Sequence, residues 1–394
     1  MNDATSTTHE KPDFSLVVGG PLYQLLLRSG LAQEPLHLVH RRILAIILLT
    51  WAPLAVLSAL DGAFLGGVAV PFLFDLADLR FVIVLPILIG AEVIVHQRMR
   101  SVVAEFLTRG LVAPEDRARF DAIIRQATLL RNSITVEVII LLLSFTGGYW
   151  LWRSFVDLKH ATWYALPQGE SLSFTWAGWW LTLVSLPAFR FITMRWYFRL
   201  LIWYIFLWRV SRLRLRLNPL HPDRAGGLGF LQESVTAFGP VLIAQSVFLS
   251  AMIGEQILHY GAHLPDFKFE ILGFAVFLML VVLVPLVFFI LQMVQAKLTG
   301  LRAYGQLATS SAEDFRQKWL QGKEPTEHLL GANDIQSLAD LANVYDLICT
   351  MRLVPISKGL LLQLAIMIVV PLLPLVLTLV PFEELMERLM KLLV

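Results

Sequence analysis

Apolar runs separated by short charged segments dominate the pattern along the chain. Each run is about 18 residues or longer, close to the length that an α-helix needs to cross the hydrocarbon core of a bilayer. The pattern therefore predicts an all-α fold, that of a polytopic membrane protein with cytoplasmic helical extensions. The seven predicted spans are residues 43–60, 81–97, 134–152, 174–194, 236–258, 271–295 and 359–380.

Composition supports the membrane class. Of the 394 residues, 57% are hydrophobic and 16% are charged, whereas a soluble domain carries about 25% charged residues. Cys349 is the single cysteine, so the chain forms no intrachain disulfide and no cysteine-based metal site. The first forty residues lack a basic segment followed by an apolar core, so we predict no cleavable signal peptide.

Basic residues between the spans predict the orientation. With the N-terminus inside, 26 of the 32 Lys and Arg residues fall in inside segments, and only four fall in outside loops. Positive charge is retained on the cytoplasmic side of bacterial inner membranes. We therefore expect an inner (plasma) membrane protein with a cytoplasmic N-terminus and, after seven spans, an outside C-terminus.

The spans divide the chain into four stretches. Residues 1–42 form a cytoplasmic segment, disordered over 1–18 and then forming a short interfacial helix. Residues 43–296 hold spans one to six, with cytoplasmic helices at 98–133 and 195–217. Residues 297–358 form a cytoplasmic bundle segment in which an amphipathic helix, 333–352, packs on the extensions of spans four and six. Residues 359–394 hold the last span and an amphipathic tail.

Two stretches carry a resemblance. Residues 221–231 read HPDRAGGLGFL, and residues 331–355 contain GANDIQSLADLANVYDL and MRLVP. They resemble an uncharacterised bacterial multi-pass inner-membrane family; the resemblance covers roughly the C-terminal half and implies no activity. The layout also resembles that of the insect odorant receptors, seven-helix channels in which a cytoplasmic bundle anchors a tetramer. This second likeness is one of architecture, without a shared motif.

The stretch at 221–231 is a candidate anion or headgroup turn. Its glycines allow positive φ, and successive free N–H groups before a helix can bind a phosphate. The alternative is a tight structural turn in which Asp223 caps the next helix. Both interpretations stay open, and they concern His221, Asp223, Arg224, Gly226, Gly227 and Gly229.

Polar residues inside the spans are candidates for a pore or proton relay. Two Glu-x-x-x-His pairs put a carboxylate and an imidazole on one helix face, where they can bond to each other. The alternative is interfacial snorkelling or helix-to-helix hydrogen bonding. Arg190 is a possible partner of a span carboxylate, and the other arginines at 195–216 suit contact with anionic lipid headgroups. The candidates are Glu92, His96, Glu137, Gln245, Glu255 and His259.

No nucleophile elbow, Walker motif, zinc HExxH motif or cofactor fingerprint occurs, so we predict no enzyme activity, no cofactor, no metal and no nucleic-acid partner. The first hypothesis is an oligomeric channel- or transporter-like protein of unknown substrate. The alternatives are a non-transporting adaptor or signalling protein whose bundle binds a cytoplasmic partner, and an enzyme acting on lipid headgroups at 221–229. Expected partners are anionic membrane lipids at the cytoplasmic face and further copies of the chain.

Overall fold

The computed structural model describes residues 14–31, 33, 36–155, 161–168, 171–321 and 333–379. The predicted tail helix after Pro381 lies outside this part of the chain. The described residues are mostly helical, as the apolar runs predict. The α-helices are α1 Pro21–Arg28, α2 Val39–Thr50, α3 Ala52–Leu60, α4 Leu85–Thr108, α5 Arg117–Arg131, α6 Ile134–Phe155, α7 Trp176–Trp180, α8 Leu186–Val210, α9 Leu231–Ala237, α10 Gly239–Tyr260, α11 Lys268–Val287, α12 Ile290–Trp319, α13 Asn333–Cys349 and α14 Lys358–Val369.

Shorter elements connect these helices. A two-stranded antiparallel hairpin, which the sequence analysis missed, lies between α6 and α7; its strands are β1 Ala165–Gln168 and β2 Ser171–Phe174. Short 3₁₀ turns and two π-helical turns account for the remaining regular segments: Phe72–Phe74, Leu76–Asp78, Arg80–Val84, Pro114–Asp116, Leu181–Ser185, Leu264–Phe267 and Val370–Leu379.

Three helical stretches are interrupted, two near their start and one near its middle. The π-helical turns Arg80–Val84 and Leu181–Ser185 precede Pro86 and Pro187. A proline has no N–H for the carbonyl one turn earlier, and a wider turn relieves the resulting clash. Between α2 and α3 the helix bends at Trp51, and the hydroxyl of Ser185 donates to the Thr50 carbonyl at 2.7 Å.

Among the described residues, five helical stretches are long and apolar enough to cross a membrane, which indicates a membrane-embedded protein. A sixth counts if the bent pair Pro114–Arg131 and Ile134–Thr146, which meet at 41°, is one span. The helical run from 176 to 210 is not among them, because its tryptophans and arginines lower its mean hydropathy. The five are Val39–Leu60, Leu76–Thr108, Leu231–Tyr260, Leu264–Val287 and Lys358–Thr378.

Several predicted boundaries differ from the structure. The break predicted near Gly110 within 98–133 is confirmed, but its first half is a direct continuation of α4. The helix predicted over 195–217 ends at Val210, because the next residues turn back toward the loop after α4. The sixth span ends at Val287, after the in-helix Pro285, and α12 begins as a new helix.

Part of the predicted packing of the helical bundle is present, as a hairpin of α12 and α13. The 17-residue α13 packs along the 30-residue α12, and Lys297 on α12 donates to the carbonyls of Cys349 and Met351 at 2.7 and 2.8 Å. The ion pair Lys318–Asp334 joins the far ends of the two helices. The expected contribution of the α8 extension is missing, because α8 stops before it reaches α13.

The structure of the N-terminal segment differs from the prediction made from its sequence. Residues 14–18 were expected to be disordered, yet Phe14, Leu16 and Val17 are among the most buried side chains of the core. The Phe14 ring packs on Trp203 and Phe206 of α8. Its local sequence is too short and mixed to reveal this burial, which depends on the aromatic face of a distant helix.

Candidate functional site

Five charged side chains from four helices form a buried group, the inner cluster. Glu92 on α4 accepts hydrogen bonds from Arg42 Nη1 of α2 and from Arg199 Nη2 of α8, the latter at 2.7 Å. One turn earlier on α8, Arg195 Nε lies 3.3 Å from Glu137 Oε1 of α6. No side chain of the five exposes more than 15% of its surface. The ion pairs therefore cross-link four helices away from solvent.

The N-terminal segment covers the inner cluster. Ser15 Oγ lies 2.8 Å from His96 Nδ1, and the Ser15 carbonyl accepts from Arg131 Nη1 at 2.6 Å. The backbone N–H of Leu22 donates to Glu137 Oε2 at 3.1 Å. These bonds attach residues 15–22 to α4, α5 and α6 at once. The segment is thus an integral part of the polar site.

A second polar group lies around the turn before α4 and the C-terminal end of α10; it is named the outer cluster after the orientation that the basic residues predict. Asp75 Oδ2 accepts from the indole N–H of Trp163 at 2.9 Å, and Glu255 Oε2 accepts from the backbone N–H of Leu76 at 3.0 Å. His259 Nε2 donates to the Phe74 carbonyl at 3.0 Å and lies 3.8 Å from Glu255 Oε1. The ionisable members of the outer cluster include Asp75, Asp78, Arg80, Glu255 and His259.

Asp78 is the exceptional member of the outer cluster. Its side chain is 4% exposed, and neither carboxylate oxygen has a hydrogen-bond partner among the described residues. The charges of Asp75, Glu255 and Arg80 all act on it. A buried carboxylate without donors is unfavourable when ionised, unless it takes up a proton or a cation. Asp78 is therefore placed to change its protonation or binding state.

Three more buried polar atoms lie on the helices between the clusters. The amide nitrogen of Gln245 and the hydroxyl of Ser246 are buried on α10, and the hydroxyl of Thr193 is buried on α8. None of the three has a hydrogen-bond partner among the residues that the structure describes. Both helices pack against α4, which carries Glu92 and follows the short turn that contains Asp78. Polar side chains in an apolar interior normally face protein or water.

The turn at 221–231 is organised by one carboxylate. Asp223 accepts from the backbone N–H groups of Ala225, Gly227 and Gly229, at 2.8, 3.2 and 2.8 Å. His221 Nδ1 lies 2.9 Å from Asp223 Oδ1. The N–H groups that the anion hypothesis requires are thus bound by a side chain of the turn itself. Asp223 is an internal bridge rather than the cap of α9.

Two of the glycines and one arginine hold the turn in left-handed backbone conformations. Gly226 and Gly227 have φ of 66° and 95°, and Arg224 has φ of 52°. Arg352, which follows α13, donates from Nη2 to the Asp223 carbonyl at 2.7 Å and from its backbone to the Arg224 carbonyl at 2.8 Å. The two stretches that carry the family resemblance therefore meet in space.

The surroundings of Asp223 lower the pKa of its carboxyl group. Burial acts to raise the pKa of this carboxyl group, but the three backbone N–H bonds, and then His221, act in the opposite direction. The net result is a pKa below the ordinary value of 3.8. Asp223 is consequently ionised at neutral pH and holds the turn as a carboxylate.

The structure distributes the six pore or relay candidates between both clusters. Glu92, Glu137 and His96 lie in or beside the inner cluster, but Glu92 pairs with two arginines rather than with His96. Glu255 and His259 belong to the outer cluster, and Gln245 lies on α10 between the two. Arg190, the predicted partner of Glu137 or Glu92, instead lies 3.5 Å from the Ser144 carbonyl.

Some site residues escaped the sequence analysis. Arg195 and Arg199 were interpreted as headgroup contacts, whereas both are buried ion-pair partners. Asp75 and Asp78 were not considered. The sequence contains a signal for them. Two acids lie just before Arg80 at the start of an apolar span, whereas an ordinary span boundary carries basic residues alone.

Among the described residues, no group of three His, Cys, Asp or Glu side chains could hold a metal ion. The site is therefore assigned from its own geometry. Comparison of the chain with protein-family models, with curated proteins and with solved structures finds no match.

Proposed function

We propose that this protein is a membrane transport protein that moves protons or small cations, with the outer cluster at the outer entrance of the path. The observation that carries the proposal is Asp78, whose two buried oxygens have no partner in the part of the chain described. A carboxylate kept in this state at membrane depth is typical of proton and cation pathways. Glu255 and His259 then form the vestibule through which the ion arrives.

The path continues inside one protomer. Gln245, Ser246 and Thr193 supply polar atoms along α10 and α8, and α4 joins the outer cluster to Glu92. Each of these atoms can form a hydrogen bond with a mobile proton carrier such as water. The path needs no central pore, although the proposal includes assembly of several copies.

Flux into liposomes tests the proposal. The full-length chain is reconstituted with a pH-sensitive dye inside, and proton, sodium or potassium gradients are applied in separate experiments. We expect flux of one of these ions above that of empty liposomes, and a loss of at least about tenfold in Asp78→Asn. The matched control is Asp61→Asn, an exposed carboxylate after α3. Wild-type liposomes that move none of the three ions would contradict the proposal.

The orientation is also part of the proposal. The asymmetry of basic residues supports a cytoplasmic N-terminus in the inner membrane, seven spans and an outside C-terminus. In this arrangement Asp78 and Glu255 face the outside. Reporter fusions after Gly110 should score cytoplasmic, and those after Gly261 should score outside. A cytoplasmic signal after Gly261 would reverse the assignment of the two clusters.

One observation favours a second function, that of a cytoplasmic adaptor. The α12–α13 hairpin is about 45 Å long by the length of α12, and most of its outward side chains are exposed. A cytoplasmic protein or further copies of the chain can dock on such a surface. Co-purification of a stoichiometric soluble partner, lost on deletion of 302–347, would support this function. Headgroup chemistry at 221–229 has less support, because Asp223 occupies the N–H groups of that turn.

A further inference from the structure

Among its described residues, the inner cluster contains more positive than negative charge. Three guanidinium groups, those of Arg42, Arg195 and Arg199, face two carboxylates, Glu92 and Glu137. All five are largely removed from solvent, where an excess charge is strongly unfavourable. A negative counter-charge near the surplus guanidinium group would therefore stabilise the helical interior.

The hydrogen-bonding capacity of the arginines supports the same conclusion. Arg42 gives only Nη1 to Glu92, and its Nε and Nη2 are buried with no acceptor among the described residues. A guanidinium group has five N–H donors and no acceptor. The inner cluster thus has donors in excess of acceptors as well as positive charge in excess of negative.

A cavity of about 20 Å³ adjoins Arg195 and Arg199 of the inner cluster, whereas Arg42 does not line it. Such a volume holds one water molecule or one ion of similar size. Arg195 and Arg199 line the cavity together with Glu137 and Ser133, and residues 16–19 of the N-terminal segment close it. The cavity is too small for a phosphate, a sulfate or a lipid headgroup.

We propose that this cavity is a binding site for one small monovalent anion of halide size, held mainly by Arg195 and Arg199. The anion balances the surplus positive charge of the inner cluster, and the Ser133 hydroxyl can donate to it. Because residues 16–19 form one wall, the bound anion also stabilises the N-terminal segment in its buried position. The site is separate from the outer cluster and does not depend on any transported ion.

Direct binding to the purified full-length protein in detergent tests the proposal. Equilibrium dialysis with radioactive chloride should give saturable binding of about one ion per chain. The thermal unfolding midpoint should rise with chloride and bromide, but not with gluconate or sulfate at equal ionic strength. Absence of saturable chloride binding in the wild type would overturn the proposal.

Variants locate the site. Arg195→Gln should weaken chloride binding by at least about tenfold, whereas Arg190→Gln, on the same helix but outside the inner cluster, should bind as the wild type does. If Arg195→Gln does not fold, Arg195→Lys, which keeps the charge, should fold and bind chloride more weakly than the wild type. Chloride binding unchanged in folded Arg195→Gln or Arg195→Lys would place any anion elsewhere and refute this site.

Discussion

The inner and outer clusters are both buried and polar, yet their carboxylates differ in the hydrogen-bond donors and charges around them. Glu92 and Glu137 of the inner cluster each contact at least one guanidinium group, and Glu137 also accepts from a backbone N–H. In the outer cluster Asp78 has no hydrogen-bond donor among the described residues and lies near two other acids. The surroundings of Glu92 and Glu137 favour carboxylates that stay ionised. The surroundings of Asp78 favour a carboxyl group whose charge changes.

This contrast separates ion pairs that stabilise the fold from a carboxyl group that has no partner among the described residues. Removal of one partner from a saturated buried ion pair leaves an uncompensated charge, whereas neutralisation of an unsatisfied carboxylate removes an unfavourable one. The same kind of substitution should therefore have opposite consequences at Glu92 and at Asp78. Five predictions test and extend this contrast, in order of decreasing effect.

Glu92→Leu should cause the largest loss of stability, about 3–5 kcal/mol, because Arg42 and Arg199 would remain buried without a carboxylate. The free energy of unfolding in detergent, measured by denaturant titration, checks this value. Glu115→Leu is the control, since the Glu115 side chain is 76% exposed, and a change within about 0.5 kcal/mol is expected there. Equal losses of stability in Glu92→Leu and Glu115→Leu would show that the buried ion pairs of Glu92 do not stabilise the fold more than an exposed glutamate does.

Asp223→Ala extends the comparison to a saturated carboxylate in a loop. Loss of the acceptor leaves three partly buried backbone N–H groups without their partner, at a cost of about 2–3 kcal/mol. The thermal midpoint of the variant measures the loss, and Asp346→Ala, on the exposed side of α13, is the control. A midpoint equal to that of the control would show that the turn does not need its internal bridge.

The pH dependence of the same turn has a defined sign. Because the folded-state pKa of Asp223 is below the ordinary 3.8, its contribution to stability is complete above that ordinary value and is lost as the pH falls through the lowered pKa. The difference in midpoint between the wild type and Asp223→Ala should therefore be constant at neutral pH and shrink on acidification below about 4. A difference that grows on acidification would contradict this account.

Gly226→Ala should cost about 1–2 kcal/mol, because Gly226 has a φ of 66° and an added Cβ would lie 3.0 Å from the terminal methyl of Met351. Gly273→Ala is the matched control: it lies within α11, its Cβ would meet open space, and the helix gains propensity. The two midpoints should move in opposite directions. Parallel shifts would indicate that the left-handed backbone at 226 is not required.

Asp78→Asn should have the smallest effect on stability, between no change and a gain of about 1 kcal/mol, because it removes an unpaired buried acid while preserving its shape. Denaturant titration beside Glu92→Leu makes the comparison direct. A loss as large as that of Glu92→Leu would mean that Asp78 is a satisfied structural group. The flux measurement on the same variant would then lose its functional interpretation.

The apolar pattern predicted the helical architecture because span length and hydropathy are local properties of the sequence. The helix at 21–28, the break after α4 and the position of α13 were predicted for the same reason. Seven spans stay a prediction, since five or six helices meet the requirement of length and hydropathy in the described part. The arginines of 176–210 lower its hydropathy, and two of them, Arg195 and Arg199, form tertiary ion pairs.

Residue pairing was beyond the reach of the sequence. Spacing placed Glu92 and His96 on neighbouring positions of one helix, but their partners come from α2, α8 and the N-terminal segment. The ion pairs of the inner cluster join residues at least fifty positions apart, as Glu92 and Arg199 illustrate. Local periodicity carries no information on which guanidinium group will reach which carboxylate.

The wide turns before Pro86 and Pro187 set the rotational phase of their helices. A π-helical turn contains one residue more than an α-turn, so the chain before it is rotated by about 100° relative to an uninterrupted helix. The turn at Arg80–Val84 lies between Asp78 and Glu92, and thus sets the angle about the helix axis between these two residues. Deletion of one residue there would restore an ordinary helix and direct the two clusters to different neighbours. Length, more than side-chain identity, is the constrained property of this segment.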